Sequence, residues 1–260
     1  MQTTDQDRPR LPVAYELVEL GRVDSVMEEA ARRAGEGAGE GTLIWATEQT
    51  DAVTRRGKRW HSPAGNLHCA LIIEPDYDRV TAEQLIYVAA VSAGTALADL
   101  LEPMTGLRYR WPNHIFINDL KSGVVELRAE DDPDGYRWLV IGLSVNVAEH
   151  PPNPEPERFN SVHASGSPDV SVSVLLETYA RHFLSWINRW ADEGFGPVKK
   201  AWTMRADGIG ASIALHLDRG QVEGVLREPD DQGRGVVESA DGKKTFIGIG
   251  EYFSLGDAAR

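Results

Sequence analysis

The spacing of apolar residues divides this chain into two textures. Up to about Arg205, long helix-like stretches alternate with strands; beyond it, only short β-like runs remain. The segment "VDSVMEEAARRAGEG" predicts a short helix, with Ser25 as N-cap, Glu28 at capping-box distance and Gly35 as the stop. "TLIWATEQ" (Thr42 to Gln49) and "NLHCALIIEP" read as buried strands on either side of a basic loop. From Thr81 to Leu101, apolar residues at Leu85, Ile86, Ala89, Val91, Ala96, Leu97 and Leu100 predict a mostly buried helix. Four strand-like pieces follow: "LRYRW", "HIFIN", "GVVELRA" and "YRWLVIGLSVNV". A long Pro/Ser/Asn-rich loop, "AEHPPNPEPERFNSVHASGSPD", then leads to a helix in which Val172, Leu175, Leu176, Tyr179, Phe183, Ile187 and Trp190 keep helical spacing. The runs "ASIALHL", "VEGVLRE", "GVVESA" and "KKTFIGIG", separated by Gly and Asp turns, predict a small β-barrel of roughly 50 residues. "GIGEYFSLG" reads as a Gly-rich strand end with no helix after it, which argues against a phosphate role there.

Composition narrows the class. The 260 residues are 42% apolar, enough for a substantial core, and the only cysteine is Cys69, which rules out an intrachain disulfide framework or a cysteine-based zinc cluster. With no apolar leader and no run of about 18 apolar residues, neither a signal peptide nor a membrane span is expected, so the prediction is a cytoplasmic protein without a membrane partner. A net charge of −13 argues against nucleic acid as a partner, because phosphate backbones are gripped by surplus Lys and Arg.

Against that negative body, Arg55, Arg56, Lys58 and Arg59 crowd one short loop. Such a run alone is most often solvated surface, but a local cationic loop on an acidic protein suits a small anion such as a nucleotide phosphate or a carboxylate. Of the seven histidines, His61, His68 and His114 show no metal-ligand spacing, and no metal-binding residue is predicted.

The flanks of the loop carry a resemblance. "QTDAVTRRGKRWHSPAGN" (Gln49 to Asn66) resembles the ligand-binding stretch of biotin protein ligases, in which a Gln precedes a GRGRxG loop, a Trp and an S-P-x-G-N-L turn. "RWPNHIFINDLK" is similar to their K-W-P-N-D segment ending in a reactive-site Lys, "VIGLSVNV" to G-I-G-I-N-V, "DSVM" to D-S-T-N, and "GFGPVKKAW" to the helical exit before a C-terminal β domain. The chain thus resembles the biotin/lipoate A/B protein ligase family. That resemblance implies an α+β fold, a mixed sheet flanked by helices with a small C-terminal SH3-like β-barrel. The expected organisation is an N-terminal extension at 1–22, a catalytic unit at 23–205 and a β domain at 206–260, with no DNA-binding region ahead of them.

The activity it implies is a two-step ligation: a carboxylic acid (biotin, lipoate or octanoate) reacts with ATP and Mg²⁺ to give an acyl-adenylate, and a lysine of a biotinyl or lipoyl carrier domain then displaces AMP. Arg55 and Lys121 are the catalytic residues implied, as cations holding carboxylate and phosphate oxygens. Gln49, Thr50, Arg56, Gly57, Trp60, Trp111, Asn113, Gly123, Gly142 and Asn146 are the cofactor-binding residues implied, and a homodimer is possible.

The sequence departs from the pattern at four places. Ala52, Val53 and Thr54 replace the first G-R-G, His114 replaces the Asp after W-P-N, Met27 ends "DSVM", and "KSGVVE" places Gly123 one residue nearer to Lys121. Two other readings therefore stand beside the ligase: a binding module for the acid or its carrier that has lost efficient chemistry, and an ATP-independent acyltransferase using Cys69. A buried structural thiol is the plainer reading of Cys69.

Overall fold

The computed structural model describes residues 8–53, 59–152 and 158–255. Eight strands form one mixed sheet in the order β1-β2-β3-β7-β6-β5-β4-β8. They are β1 (Glu16–Val23), β2 (Thr42–Gln49), β3 (Leu67–Ile73), β4 (Leu107–Arg110), β5 (His114–Ile117), β6 (Leu120–Asp132), β7 (Gly135–Val145) and β8 (Ala206–Asp207). The two edge pairs, β1 with β2 and β4 with β8, are parallel, and the other pairs are antiparallel.

Strand β1 was not expected. Its burial is only partial because it is an edge strand, so the alternation of Glu16, Glu19 and Arg22 with apolar residues reads as polar chain. It extends the sheet ahead of the boundary expected at Val23, and β8 carries the sheet past Arg205.

Helices cover both faces. Helix α1 (Val26–Gly35) begins at Ser25, whose side chain accepts from the Met27 N–H rather than from Glu28, and it carries Glu28 and Glu29 in its first turn and Arg32 and Arg33 in its last. Its Val26, Ala30, Ala31 and Ala34 pack on Ile44, Ala46, Ala70, Ile72, Trp138 and Val140, which share one face of the sheet. The opposite face carries Leu43, Trp45, Cys69, Leu71, Leu139, Ile141 and Leu143, covered by α3 (Leu85–Leu100) and α4 (Val172–Glu193). Strand β3, apolar at nearly every position, is buried along its whole length because both faces are covered. The short α2 (Arg79–Glu83) and α3 make one stretch long and apolar enough to cross a membrane, yet 78% of that window is buried inside the protein. It is the central helix of the core.

After α5 (Phe195–Thr203), strands β9 (Ser212–Leu217), β10 (Gly220–Arg227), β11 (Gly235–Glu238) and β12 (Lys244–Ile247) form a sequential antiparallel sheet. The chain then turns into a five-residue helix, α6 (Ile249–Phe253), where a strand end was expected. This small unit is tied to the main sheet through a buried relay: Trp111 Nε1 donates to Tyr87 Oη (2.8 Å), and that hydroxyl donates to the Gly233 carbonyl (2.8 Å). A Cβ on Gly235 would come within 2.3 Å of the Trp111 ring, so the junction is closely packed.

Replacing Tyr87 by Phe strips the buried Trp111 indole and Gly233 carbonyl of this shared partner. The expected loss is on the order of 2 kcal/mol in urea unfolding, with faster hydrogen exchange in β11 than in β3.

Candidate functional site

The face of the sheet covered by α1 also carries the polar residues of the predicted site, and strand alternation explains why. Val124, Glu126 and Arg128 of β6 lie opposite Ser144, Gly142 and Val140 of β7, so all of them share the α1 side. His114 of β5 joins them by pairing with Val124. Regular alternation would turn Lys121 to the other face. The register shifts here, because Gly123 pairs with Ile115 while Lys121 pairs with Phe116, which leaves Ser122 without a partner on β5. This bulge restores Lys121 to the face of His114 and Glu126. Ser122 is fully buried; its hydroxyl donates to the Leu120 carbonyl, and its own carbonyl accepts from Asn146 N–H.

Lys121 is held next to an aromatic wall. Its Nζ lies 5.0 Å from the centre of the Trp60 ring, and Phe159 meets that ring edge-on at 6.4 Å. Backbone bonds from Lys121 N–H to the Arg158 carbonyl and from Asn160 N–H to the Lys121 carbonyl dock the middle of the long loop onto β6. Behind Trp60, Ser62 Oγ donates to the Trp60 carbonyl and accepts from Gln49 Nε2, while Gln49 Oε1 accepts from Val26 N–H at 2.8 Å. Gln49 therefore spends its amide on joining the loop to the first turn of α1, and Thr50 bonds to the Val23 carbonyl beside it.

Asn146 donates to the Asn160 carbonyl, and its own Oδ1 is buried with no hydrogen-bond partner. Asn113 likewise donates to the Val125 carbonyl and leaves its Oδ1 unpaired. Such acceptors are where a bound donor would gain most. Gly142 lies under Met27, because a Cβ there would come within 2.3 Å of the thioether sulfur. Gly123 is fixed by packing instead, with the Ser144 carbonyl 2.9 Å from where its Cβ would be.

The electrostatics follow from this crowding. Burial pushes the Glu126 carboxyl up to about 7, against the pull of the Lys121 charge. Burial, then the charges of Lys121 and Arg110, hold His114 down at about 3, so it is neutral at ordinary pH. His68, on the same face opposite Ser144, is fully buried, and burial lowers it to about 4.

Lys121, Trp60, Gln49, Thr50, Gly142 and Asn146 are thus brought into one neighbourhood. Arg55, Arg56 and Gly57 lie outside the described residues. Trp111 is not part of this neighbourhood, because it packs on the α3 side against Tyr87 and Tyr252. Cys69 also faces that side, buried, its thiol pushed up to about 12. Among the described residues no cluster of three His, Cys, Asp or Glu side chains could hold a metal ion. A cavity of about 410 Å³ lined by Tyr15, Glu40, Tyr77 and Phe183 opens on the α4 side and contains none of these residues.

Sequence reasoning did not single out Met27, Ser62, Glu126 or Asn160 as site residues. Glu126 did leave a signal: it is the one acid in the otherwise apolar run "GVVEL".

Comparison with known proteins supplies the family and the fold. The model of the "Biotin/lipoate A/B protein ligase family" matches residues 58–204, more than half of the chain. A biotin--[acetyl-CoA-carboxylase] ligase of Paracoccus denitrificans is 28% identical over 90% of this chain and 99% of its own. The bifunctional ligase/repressor BirA of Bacillus subtilis is 29% identical over 85% of this chain and 69% of its own. Among solved structures, the biotin protein ligase of Aquifex aeolicus in complex with biotin and ATP superposes with a TM-score of 0.75 at 23% identity, covering 91% of this chain and 97% of that one. A biotin protein ligase-like protein of unknown function from Silicibacter sp. TM1040 gives 0.79 at 22% identity, with 94% and 98% covered. The last two likenesses speak for the fold.

The buried histidines set a pH limit on stability. The folded state holds His68 at about 4, below its unfolded value of 6.5, so the unfolded chain binds the extra proton between them and stability falls as pH drops through that window. Urea unfolding should show a loss of roughly 3 kcal/mol from pH 6.5 to 4 attributable to His68, and a His68→Leu variant should lack that part of the slope.

Proposed function

Since the chain belongs to the biotin/lipoate A/B protein ligase family, we propose that it activates biotin with ATP as biotinyl-adenylate and passes the acyl group to a lysine of a carrier domain. The observation that carries this reading is the placement of Lys121: a β-bulge turns it onto the site face, beside Trp60 and inside the segment matched by the family. Biotin is preferred to lipoate or octanoate because relatives matched over nine-tenths of this chain are named for biotin.

The protein's own groups would act as follows. Bringing a carboxylate up to a triphosphate gathers negative charge, and the Lys121 ammonium offsets it where the acyl oxygen meets the α-phosphate. Trp60 and Phe159 form an aromatic wall that keeps water from the mixed anhydride. The unpaired Oδ1 of Asn146 offers an acceptor to a ligand N–H. Mg²⁺ would enter with ATP, bound to its phosphates. The family's aspartate after W-P-N is here His114, a neutral imidazole that makes a poor ligand for a hard cation. Repression, the second activity in the name of the Bacillus subtilis relative, forms no part of the proposal.

Met27 and His114 favour a second reading, a binding module, since the thioether covers the ground above Gly142 and a carboxylate is missing. The transferase reading has nothing comparable, because Cys69 is sealed on the other side of the sheet.

The two surviving readings part on turnover. The ligase should catalyse biotin-dependent exchange of labelled pyrophosphate into ATP, with lipoate and octanoate giving less, and Lys121→Ala should lower the exchange at least about a hundredfold. Biotin binding in a calorimeter with no exchange for any acid would reverse the preference.

A further inference from the structure

The second half of the proposed reaction needs a group that the family resemblance did not supply. The incoming lysine is an ammonium at neutral pH, with an ordinary value near 10.4, and it cannot attack a carbonyl until it has lost a proton. Among the described residues, the candidate bases on the site face include His114, His68 and Glu126. His114 is too weak a base, held at about 3, and His68 is fully buried and held at about 4. Glu126 lies on the same face as Lys121, directly across the strand pair from Gly142, the floor on which Met27 rests. It is half-buried, and no hydrogen bond or ion pair to its carboxyl is found among the described residues, whereas its neighbours along the face are engaged: Arg128 with Glu28 of α1, and Glu130 with Arg137 and Trp138.

We propose that Glu126 is the proton acceptor for the carrier lysine, a role that rests on the adenylating reading of the site. Its carboxylate takes one proton from the substrate ammonium. The freed amine lone pair forms the N–C bond to the acyl carbon of the adenylate, the C–O bond to phosphate breaks, and AMP leaves with that electron pair. The second amine proton passes to solvent. The groups facing Glu126 favour this duty. Lys121 on β6 keeps part of it ionised, His114 on β5 and His68 on β3 stay neutral, and Glu28 of α1, an acid over this strand, is paired to Arg128. An acceptor at about 7 also matches the working pH, where general-base catalysis is most effective.

The test separates the half-reactions. Wild-type protein and Glu126→Gln are loaded with biotin and ATP, then offered either Nα-acetyl-lysine amide, which needs deprotonation, or hydroxylamine, which is already unprotonated at neutral pH. Pyrophosphate exchange and hydroxamate formation should stay within about twofold of wild type in E126Q. Acylation of the lysine amide should fall about a hundredfold at pH 7, and the deficit should shrink as pH rises. Wild-type acylation of the amide should climb through a limb near pH 7 that E126Q lacks. Equal losses with both nucleophiles, unchanged acylation of the amide in E126Q, or a wild-type profile without that limb would each overturn the assignment. Absence of exchange in the wild type would instead count against the adenylating reading itself.

Discussion

Side chains along a strand alternate between the two faces of a sheet, so the one residue of β6 that is skipped within its pairing with β5 decides where the chemistry lies. Ser122 occupies that position, and its burial and hydrogen bonds hold the bulge in place. With the bulge, Lys121 shares a face with His114, Glu126 and Gly142; a perfect ladder would have turned it into the apolar core under α3. The aromatic wall and the docked middle of the long loop gather around Lys121 as placed.

A second constraint ties that face to the chain's beginning. Gln49 is buried and spends both ends of its amide, one on the Val26 N–H and one on Ser62. The first turn of α1, the end of β2 and the segment leading to Trp60 are therefore one hydrogen-bonded unit, and a change in any of them reaches the others. Gln49 acts here as a strut, whereas the resemblance pointed to it as a cofactor-binding residue. Struts of this kind set how closely a ligand is gripped without touching it.

How much of this was legible follows the physics of each signal. Helix α4 and strand β2 were readable because their apolar spacing is strong and their ends are marked, by Gly194 in one case and the basic loop in the other. Strand β1 escaped because an edge strand needs no continuous apolar run. The motif around Lys121 drew attention to that residue, but the face it occupies could not be read without the register shift between β5 and β6. Trp111 sits in a motif and still faces the core, since Leu107, Tyr109 and Trp111 all alternate toward the α3 side. Glu126 went unnoticed because an acid in an apolar run becomes meaningful only once its cross-strand neighbours are known.

The sealing of Cys69 has a practical side. The chain contains no other cysteine, and this one is buried with its thiol pushed far from ionisation. A maleimide dye or spin label would therefore find no native target, and a cysteine placed at a chosen surface position would carry the tag alone. Distances between the long loop and the sheet can thus be followed during turnover without first rebuilding the protein.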